Sequence, residues 1–386
     1  MASGGGIVSL VDSLIETAIE RHASDVHLEP SDDGLRVRYR VDGVLYPYTI
    51  VSSETMQQVV ARVKVLSRIN TTEQRIPQDG KFCVTLRGRT IDLRVSTFPT
   101  IHGEKVVIRI LDRTHTTMDL DQLGFSIGML SHFHDLITRA SGFFLVTGPT
   151  GSGKTTTLYA ALSEIVTPEK NVVTLEDPVE YDVDGTTQGQ VHPEVGFTFE
   201  KGIRAILRQD PDVVMIGEIR DKQTARIGIE AALTGHLVFS TLHTTDAPGA
   251  LVRLLDMGIE PFLLNAAVTG VLAQRLVRTI CPLCKTEMRP RPQDRLIMER
   301  IGLYATTLYK GAGCDACFML GYRGRTGIFE LLLMSHALGD LVVHQPRYHE
   351  LQQQARQEGM KTLLDDAKHK VIEGTITLNE LARVLL

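Results

Sequence analysis

The chain has 386 residues, which is long for a single hydrophobic core, so two or more domains are expected. Hydrophobic residues make up 43% of it and charged residues 23%, the balance of an ordinary globular protein. The net charge of −5 argues against a dominant nucleic-acid surface, and no apolar run approaches the ~20 residues that span a bilayer. The opening MASGGG has neither the basic nor the apolar region of a signal peptide, so the expected compartment is the cytoplasm.

The first predicted domain covers residues 7 to 111 and is α+β with an antiparallel sheet. A helical pattern of apolar residues at 8 to 22 precedes a strand at SDVHLEP. Alternating apolar and charged residues then predict two hairpins, with turns at Asp42-Gly43 and near Arg87-Gly88. A second helix, at about 53 to 69, lies between the hairpins, and EKVVIRILD is one more strand.

The second predicted domain, residues 123 to 386, follows a linker expected at residues 112 to 122, which lack apolar periodicity. Four short apolar runs alternate here with helical stretches: GFFLVTG, NVVTLED, DVVMIGE and HLVFSTLH. Strands of this kind, separated by helices, predict an α/β fold with a mainly parallel sheet covered on both faces. Residues 281 to 317 interrupt this pattern with two cysteine pairs, and residues 347 to 386 are predicted to form a helical tail.

The sequence GPTGSGKT fits the pattern of a phosphate-binding loop, and it has a strand before it and a helix after it. Backbone N–H groups between such glycines wrap phosphates at a helix N-terminus. Lys154 is expected to reach the β- and γ-phosphates, and Thr155 to hold Mg²⁺. A glycine-rich turn with a surface lysine is the structural alternative, which the full match disfavours. The predicted nucleotide-binding residues are Gly148, Pro149, Thr150, Gly151, Ser152, Gly153, Lys154, Thr155 and Thr156.

Acidic residues follow two of the predicted strands, and they are expected at the same sheet edge as the phosphate loop. Glu218 ends the run DVVMIGE and is the candidate for facing the nucleotide and its metal, although an aspartate is usual at that place. The segment LEDPVEY offers Glu176 and Glu180, and either has the chemistry to orient or deprotonate the attacking water. The alternative for this segment is an acidic turn solvated at the sheet edge.

His236 and His243 bracket the predicted strand LVFSTL. His243 should emerge at the same carboxyl edge as the phosphate loop, which makes it a candidate for sensing phosphate. His236 lies at the other end of that strand and is less favoured on geometry.

These motifs together resemble the secretion ATPase superfamily, and within it the type II secretion and type IV pilus assembly ATPases. The resemblance covers nearly the whole chain, from ASDVHLEP to TLNEL. Its most specific stretches are GPTGSGKTTTLYAAL, TLEDPVEY, ILRQDPDVVMIGEIRD and LTGHLVFSTLHTTDA, which are similar to the family's Walker A, Asp, Walker B and His boxes in order. The Gly-Glu ending of the third stretch also matches the family. The resemblance implies a RecA-like P-loop NTPase domain that follows a smaller PAS-like α+β domain.

The resemblance also implies roles for individual residues. It favours Glu180 over Glu176 as the catalytic base and assigns both bracketing histidines to the His box. It implies that arginines of the first domain reach the phosphates of a nucleotide bound between the domains, and that two more lie near the phosphates in the second domain. The alternative for any one of these arginines is a purely structural position on a solvated strand face. The implied catalytic set is Glu180, Glu218, His236, His243, Arg94, Arg109, Arg204 and Arg220.

Four of the five cysteines form two CxxC pairs separated by 29 residues: Cys281, Cys284, Cys314 and Cys317. Paired thiolates at this spacing suit a closed tetrahedral site for structural Zn²⁺, with free paired thiols as the alternative. By the resemblance, such a metal-binding insertion favours an assembly motor over a retraction motor. Cys83 lies in a predicted strand and is interpreted as a core residue.

The function implied by the resemblance is that of a cytoplasmic homohexameric ATPase that uses ATP and Mg²⁺ to drive pseudopilus assembly in type II secretion. It would act at the inner membrane through platform proteins, without a membrane span of its own and without nucleic acid. Type IV pilus assembly is the alternative, because it shares every motif. A non-hydrolysing nucleotide-binding regulator is disfavoured by the intact loop, Glu180 and Glu218. Residues 1 to 6 are too short to contain the N-terminal region through which the family docks to its platform.

Overall fold

A computed structural model describes residues 6–111 and 118–386 of the protein. The chain splits into two compact units, Met1–Thr116 and Thr117–Leu386. Of the expected linker, residues 112–117 lie outside the described residues. Leu120–Leu123 forms a short 3-10 helix, and its two leucines are buried in the core of the second unit. No helix in the described ranges is long and apolar enough to cross a membrane.

In residues 6–111 the first unit contains one sheet and two helices. Its elements are α1 (Ile7–Glu20), β1 (Ala23–Ser31), β2 (Gly34–Val41), β3 (Val44–Val51), α2 (Ser53–Leu66), β4 (Gln78–Leu86), β5 (Arg89–Thr100) and β6 (Gly103–Leu111). Within residues 6–111 the strands form an antiparallel sheet in the order β3-β2-β1-β6-β5-β4. Both predicted turns have positive φ at their two central residues, 49° and 82° at Asp42-Gly43 and 51° and 78° at Arg87-Gly88. That backbone matches the right-handed twist of the strands which it joins.

The outward face of this sheet is charged. Arg94 in β5 and Arg109 in β6 are directly opposite one another, and both side chains are exposed. Asp25 in β1 is the next partner across the sheet and accepts a hydrogen bond from Nε of Arg109 at 3.1 Å. The interpretation of Cys83 as a core residue is wrong. Its side chain is exposed, because it leaves β4 on the same face as Lys81, two residues earlier.

The second unit is α/β, with a mainly parallel sheet as predicted. Its elements are α3 (Ile127–Ile137), β7 (Gly142–Thr147), α4 (Lys154–Ile165), β8 (Val172–Glu176), β9 (Thr187–Gln190), α5 (Phe199–Ile206), β10 (Val213–Ile216), α6 (Lys222–Leu233), β11 (Leu237–Leu242), α7 (Ala247–Asp256), α8 (Pro261–Ala267), β12 (Val268–Ile280), β13 (Lys285–Met288), α9 (Pro292–Ile301), β14 (Leu308–Gly311), β15 (Tyr322–Leu333), α10 (His336–Val343), α11 (Tyr348–Gln357), α12 (Leu363–Ile372) and α13 (Leu378–Leu385). The main sheet, as far as residues 118–386 show it, has the order β15-β12-β7-β11-β10-β8-β9. β15 is antiparallel to β12, and the other neighbours are parallel.

The central strands are fully buried because helices cover both faces of the sheet. Phe144 in β7 packs in one cluster with Leu158 of α4. Phe143, which points to the other face, packs in a second cluster with Ile227 of α6 and Leu251 of α7. The charged residue within β8, Glu176, lies at the end of that strand, and the carboxyl ends of the parallel strands form one edge.

The segment between β12 and β15 forms a small separate structure. β13 and β14 pair as an antiparallel two-stranded sheet, and α9 connects them. This segment contains the four paired cysteines.

Candidate nucleotide and metal sites

The glycine-rich loop joins the end of β7 to the start of α4. Gly148, Gly151 and Gly153 have φ values of 151°, 77° and 89°, a backbone region that residues other than glycine rarely adopt. A Cβ atom on Gly148 would lie 2.5 Å from the carbonyl oxygen of Gln274 and 2.6 Å from Oγ of Ser152. The loop is therefore packed closely against β12. Its backbone conformation and its position at a helix N-terminus fit a phosphate group.

Lys154, the first residue of α4, has its ammonium inside this loop. Nζ donates to the carbonyl oxygens of Gly148 at 2.9 Å and Pro149 at 3.1 Å. Burial lowers the pKa of Lys154, the charge of Glu218 opposes that effect, and the charge of Arg275 adds to it, so the net shift is downward. Glu218 and Arg275 are thus close enough to Lys154 for their charges to affect it.

Glu218 lies two residues beyond the end of β10 and has partners on both carboxylate oxygens. Oε1 accepts a hydrogen bond from Arg220, and Oε2 is 3.4 Å from Nε2 of His243. Burial raises the pKa of Glu218, but the hydrogen bond and charge of Arg220, followed by those of His243, outweigh burial and lower it. Arg220 also lies 3.7 Å from Asp177, which follows β8. The structure therefore brings the ends of β8, β10 and β11 together around an ionised Glu218.

The two glutamates of LEDPVEY lie in different environments. Glu176 is buried at the end of β8 and accepts hydrogen bonds from the Tyr159 hydroxyl, from Oγ1 of Thr174 at 2.6 Å and from Nε2 of Gln188 at 3.1 Å. Burial and the hydrogen bond to Glu176 raise the pKa of Tyr159. Glu180 has an exposed side chain, and its backbone N–H donates to the same tyrosine hydroxyl at 3.4 Å. Glu176 is thus committed to internal hydrogen bonds, whereas the carboxylate of Glu180 is accessible to water.

Among the predicted site residues, His236 lies away from this edge. His236 precedes β11, at the opposite end of the strand from His243, and its Nδ1 is 2.9 Å from the carbonyl oxygen of Ala231. Arg204 is exposed on α5, 3.5 Å from Glu200 one helical turn earlier. Arg94 and Arg109 belong to the first unit.

Polar residues that the sequence motifs did not indicate also shape the loop from other strands. Thr147 and Thr244 join the ends of β7 and β11, because their hydroxyl oxygens are 2.7 Å apart and the N–H of Thr244 donates to Oγ1 of Thr147 at 2.9 Å. Nε2 of Gln274 donates to the carbonyl oxygen of Ser152 at 2.8 Å. In the sequence, a Gln-Arg pair interrupts the apolar run of β12, and this pair is the feature that could have indicated polar residues near the loop.

The four cysteines of the small insertion lie together, and none of the four is in a disulfide. Sulfur–sulfur distances include 3.9 Å for Cys281–Cys314, 3.8 Å for Cys284–Cys317 and 3.7 Å for Cys314–Cys317. Four sulfurs at about 2.3 Å from a tetrahedral metal ion are about 3.8 Å apart, so these residues fit such an ion.

Backbone donors also favour the thiolate form at one of these cysteines. Burial raises the pKa of Cys317, but the N–H groups of Cys314 and Gly321, which donate to its Sγ at 3.3 and 3.2 Å, lower it to about 7. N–H groups that point at a sulfur stabilise the charge that a metal-bound thiolate carries.

A mainly parallel sheet with a glycine-rich loop at its carboxyl edge defines the second unit as an α/β domain of the nucleotide-binding kind. The family model described as "Type II/IV secretion system protein" matches residues 2–383. The chain therefore belongs to the type II/IV secretion system protein family.

Two curated relatives show how far the similarity extends. The chain is 48% identical over 382 residues to "Type II secretion system ATPase E" of Vibrio cholerae, which covers 98% of this chain and 75% of the relative. It is 45% identical over 378 residues to "Type IV pilus assembly ATPase PilB" of Thermus thermophilus, which covers 97% of this chain and 42% of the relative. This chain is thus similar to three quarters of one relative and to less than half of the other.

Two solved structures share the fold. The pilus retraction motor PilT with bound ADP is 26% identical, with a TM-score of 0.61 and coverage of 96% of each chain. The ATPase DotB of Legionella pneumophila is 20% identical, with a TM-score of 0.73, and the match covers 100% of this chain and 97% of that one. At 20% identity, the similarity to DotB shows only that the two chains share a fold.

Proposed function

We propose that this chain is an ATPase that drives type II protein secretion by powering pseudopilus assembly. The observation that carries the proposal is the meeting of Lys154, Glu218 and His243 at one sheet edge, in a chain 48% identical to a type II secretion ATPase. Type IV pilus assembly is the second candidate, supported by 45% identity to PilB.

The proposed chemistry is hydrolysis of the terminal phosphoanhydride of ATP. The loop N–H groups and Lys154 bind and orient the phosphates. Thr155 and Glu218 would hold Mg²⁺, which would supply positive charge to the phosphate oxygens. Glu180 orients or deprotonates the attacking water, because its carboxylate is accessible and that of Glu176 is not. Arg220 and His243 hold Glu218 in position. His236 acts at a distance from this edge, through the segment that carries it, and Arg204 on α5 acts near the phosphates.

The proposed working form is a homohexamer that acts at the cytoplasmic face of the inner membrane through platform proteins. Arg94 and Arg109 present two adjacent exposed cations on the first unit, which suits contact with a phosphate chain. Arginines supplied in this way contribute ~10³–10⁵ to turnover in other P-loop enzymes. We expect specific activity to rise steeply with protein concentration, and Arg94→Ala or Arg109→Ala to remove most of that gain without unfolding the chain. A dilute monomer as active per chain as the assembled form, by activity and light scattering together, would contradict the need for a ring.

The four-cysteine cluster is proposed to hold one structural Zn²⁺. Closed sites with four thiolates keep no open position for a substrate, so the ion would stabilise the insertion and take no part in hydrolysis. 

Two experiments test the main proposal. The purified chain should release phosphate from ATP only when Mg²⁺ is present, and Lys154→Ala should lose this activity. Expression in a strain that lacks its type II secretion ATPase should restore secretion, whereas rescue of a pilus-assembly mutant alone would select the second candidate. A purified chain that binds ATP and never hydrolyses it would instead be a nucleotide-binding regulator.

A further inference from the structure

Arg275 is a charged residue of β12 to which the mechanism above gives no role. β12 runs parallel to β7, and its Ala273 is paired with Thr147, the residue before the phosphate loop. Arg275 lies two residues after Ala273, so its side chain is at the level of that loop. Its neighbour Gln274 already holds the loop through the carbonyl group of Ser152.

The guanidinium of Arg275 is partly buried and only partly hydrogen-bonded. One terminal nitrogen donates to the carbonyl oxygen of Thr245 at 3.1 Å, in the loop that follows His243. Nε is buried and has no hydrogen-bond partner in the ranges that the structure describes. A buried N–H of a charged group without an acceptor is costly, so this position favours a ligand that brings acceptor oxygens.

Two cations meet at this place with little free negative charge between them. The charge of Arg275 lowers the pKa of Lys154 in addition to the effect of burial. Glu218 is already paired with Arg220. Asp246 raises the pKa of Arg275 against the opposite effect of burial, but it also accepts a hydrogen bond from the hydroxyl of Tyr348 at 2.8 Å. A polyphosphate supplies negative charge to both cations and an acceptor for Nε of Arg275.

We propose that Arg275 contacts the terminal phosphate of the bound nucleoside triphosphate and makes the site prefer ATP over ADP. This inference rests on the proposed function and adds a specificity-determining residue to its site. Because the same guanidinium holds the carbonyl group of Thr245, it links the terminal phosphate to the loop that carries His243.

The test measures binding by the full chain of two fluorescent probes in Mg²⁺, one of ADP and one of a non-hydrolysable ATP analogue. Arg275→Ala should weaken binding of the ATP analogue at least tenfold and of ADP less than twofold, because a charge-assisted hydrogen bond to a phosphate is lost. Arg275→Lys should recover part of the loss, since it keeps the charge without the fork of donors. Arg226→Ala is the matched control, because Arg226 is a surface arginine paired with Glu230 on α6.

An equal loss for both nucleotides would overturn the inference, because it would show that Arg275 supports the loop and does not contact the third phosphate. Unchanged binding of the ATP analogue, with an unchanged melting temperature, would overturn it as well. Failure of the unaltered chain to bind either nucleotide would overturn the proposed function, and the inference with it.

Discussion

Nε2 of His243 lies 3.4 Å from Oε2 of Glu218, so the loop after β11 contacts the acid that follows β10. Arg220 holds the other oxygen of the same carboxylate. Glu218 is therefore fixed from two sides, and its pKa is lowered although burial acts to raise it. A carboxylate that is ionised and held from two sides has the properties required of a metal-holding acid.

Removing the charge of Glu218 or of Glu180 should lower the rate of ATP hydrolysis without weakening ATP binding. We expect Glu218→Gln and Glu180→Gln each to lower turnover at least a hundredfold with ATP affinity nearly unchanged, because both act on the reacting phosphate or water. Lys154→Ala should instead weaken ATP binding itself. Steady-state phosphate release and fluorescent nucleotide titration measure the two effects. Glu230→Gln, on the surface of α6, is the control, and full hydrolysis by Glu218→Gln would refute its assignment.

Glu176 should behave as a structural residue. Its carboxylate accepts from Tyr159, Thr174 and Gln188 in a buried position. Glu176→Ala therefore removes the acceptor of the Tyr159 and Thr174 hydroxyl groups, whereas Nε2 of Gln188 keeps the carbonyl oxygen of Tyr181. We expect a loss of unfolding free energy on the order of 2–4 kcal/mol, and about 1 kcal/mol for Tyr159→Phe. Urea unfolding measures both values. Glu180→Ala should leave stability within about 0.5 kcal/mol, and equal destabilisation by the two alanine variants would contradict the distinction between the glutamates.

The cysteine cluster should contain about one Zn²⁺ per chain, the number that four thiolates bind. Removing the ion with a chelator should increase hydrogen exchange in residues 281 to 317, because site formation and local folding are coupled. Cys284→Ser should reproduce this effect without chelator. Cys83→Ser, at an exposed position in the first unit, should retain the full metal content. Metal-free protein with unchanged exchange in the insertion would show that the ion is not structural.

Glu330 should make stability depend on pH. It is buried in β15 and accepts from the N–H groups of Ala247 at 2.8 Å and Leu363 at 3.3 Å, at the starts of α7 and α12. Burial raises its pKa to about 7, the N–H of Ala247 opposes this, and Asp246 adds to it. The folded protein therefore holds this proton more tightly than the unfolded chain.

The contribution of Glu330 is fully present below its ordinary pKa of about 4.5 and is lost as pH rises through about 7. The unfolding free energy should fall by roughly 2–3 kcal/mol across that window. Glu330→Gln cannot ionise, so its curve should be flatter than that of the unaltered chain by about this amount. Parallel curves for the two proteins, from urea unfolding at pH 5, 6, 7 and 8, would show that Glu330 does not titrate in this range.

The sequence identified the strands that are buried on both faces, because such strands consist of short, nearly continuous apolar runs. It did not identify β12 and β15 as strands, because Gln274, Arg278 and Glu330 break their apolar pattern. Each of these polar groups has partners distant in the chain, such as Ser152 for Gln274 and Glu380 for Arg278. Periodicity carries no information about such long-range partners.

The candidate site shows the same limit. Spacing alone predicted the phosphate loop and the cysteine quartet, since the residues of each motif are close in the sequence. The two glutamates of LEDPVEY have similar local sequence, and what distinguishes them is the hydroxyl of Tyr159, which lies on α4. The direction of β11 was enough to predict that His236 lies at the opposite end of the strand from His243, because a parallel strand has only one end at the carboxyl edge.

The length of β12 between the phosphate loop and the four-cysteine cluster has an evolutionary consequence. Gln274 holds the loop, Arg278 is bound by Glu380 of α13, and Cys281, the first residue of the four-cysteine cluster, follows directly after the strand ends. One inserted residue would turn every later side chain of the strand to the opposite face and shift Cys281 by about 3.3 Å. Divergence along this stretch should therefore proceed by substitution, while insertions and deletions accumulate in turns such as residues 302–307, between α9 and β14.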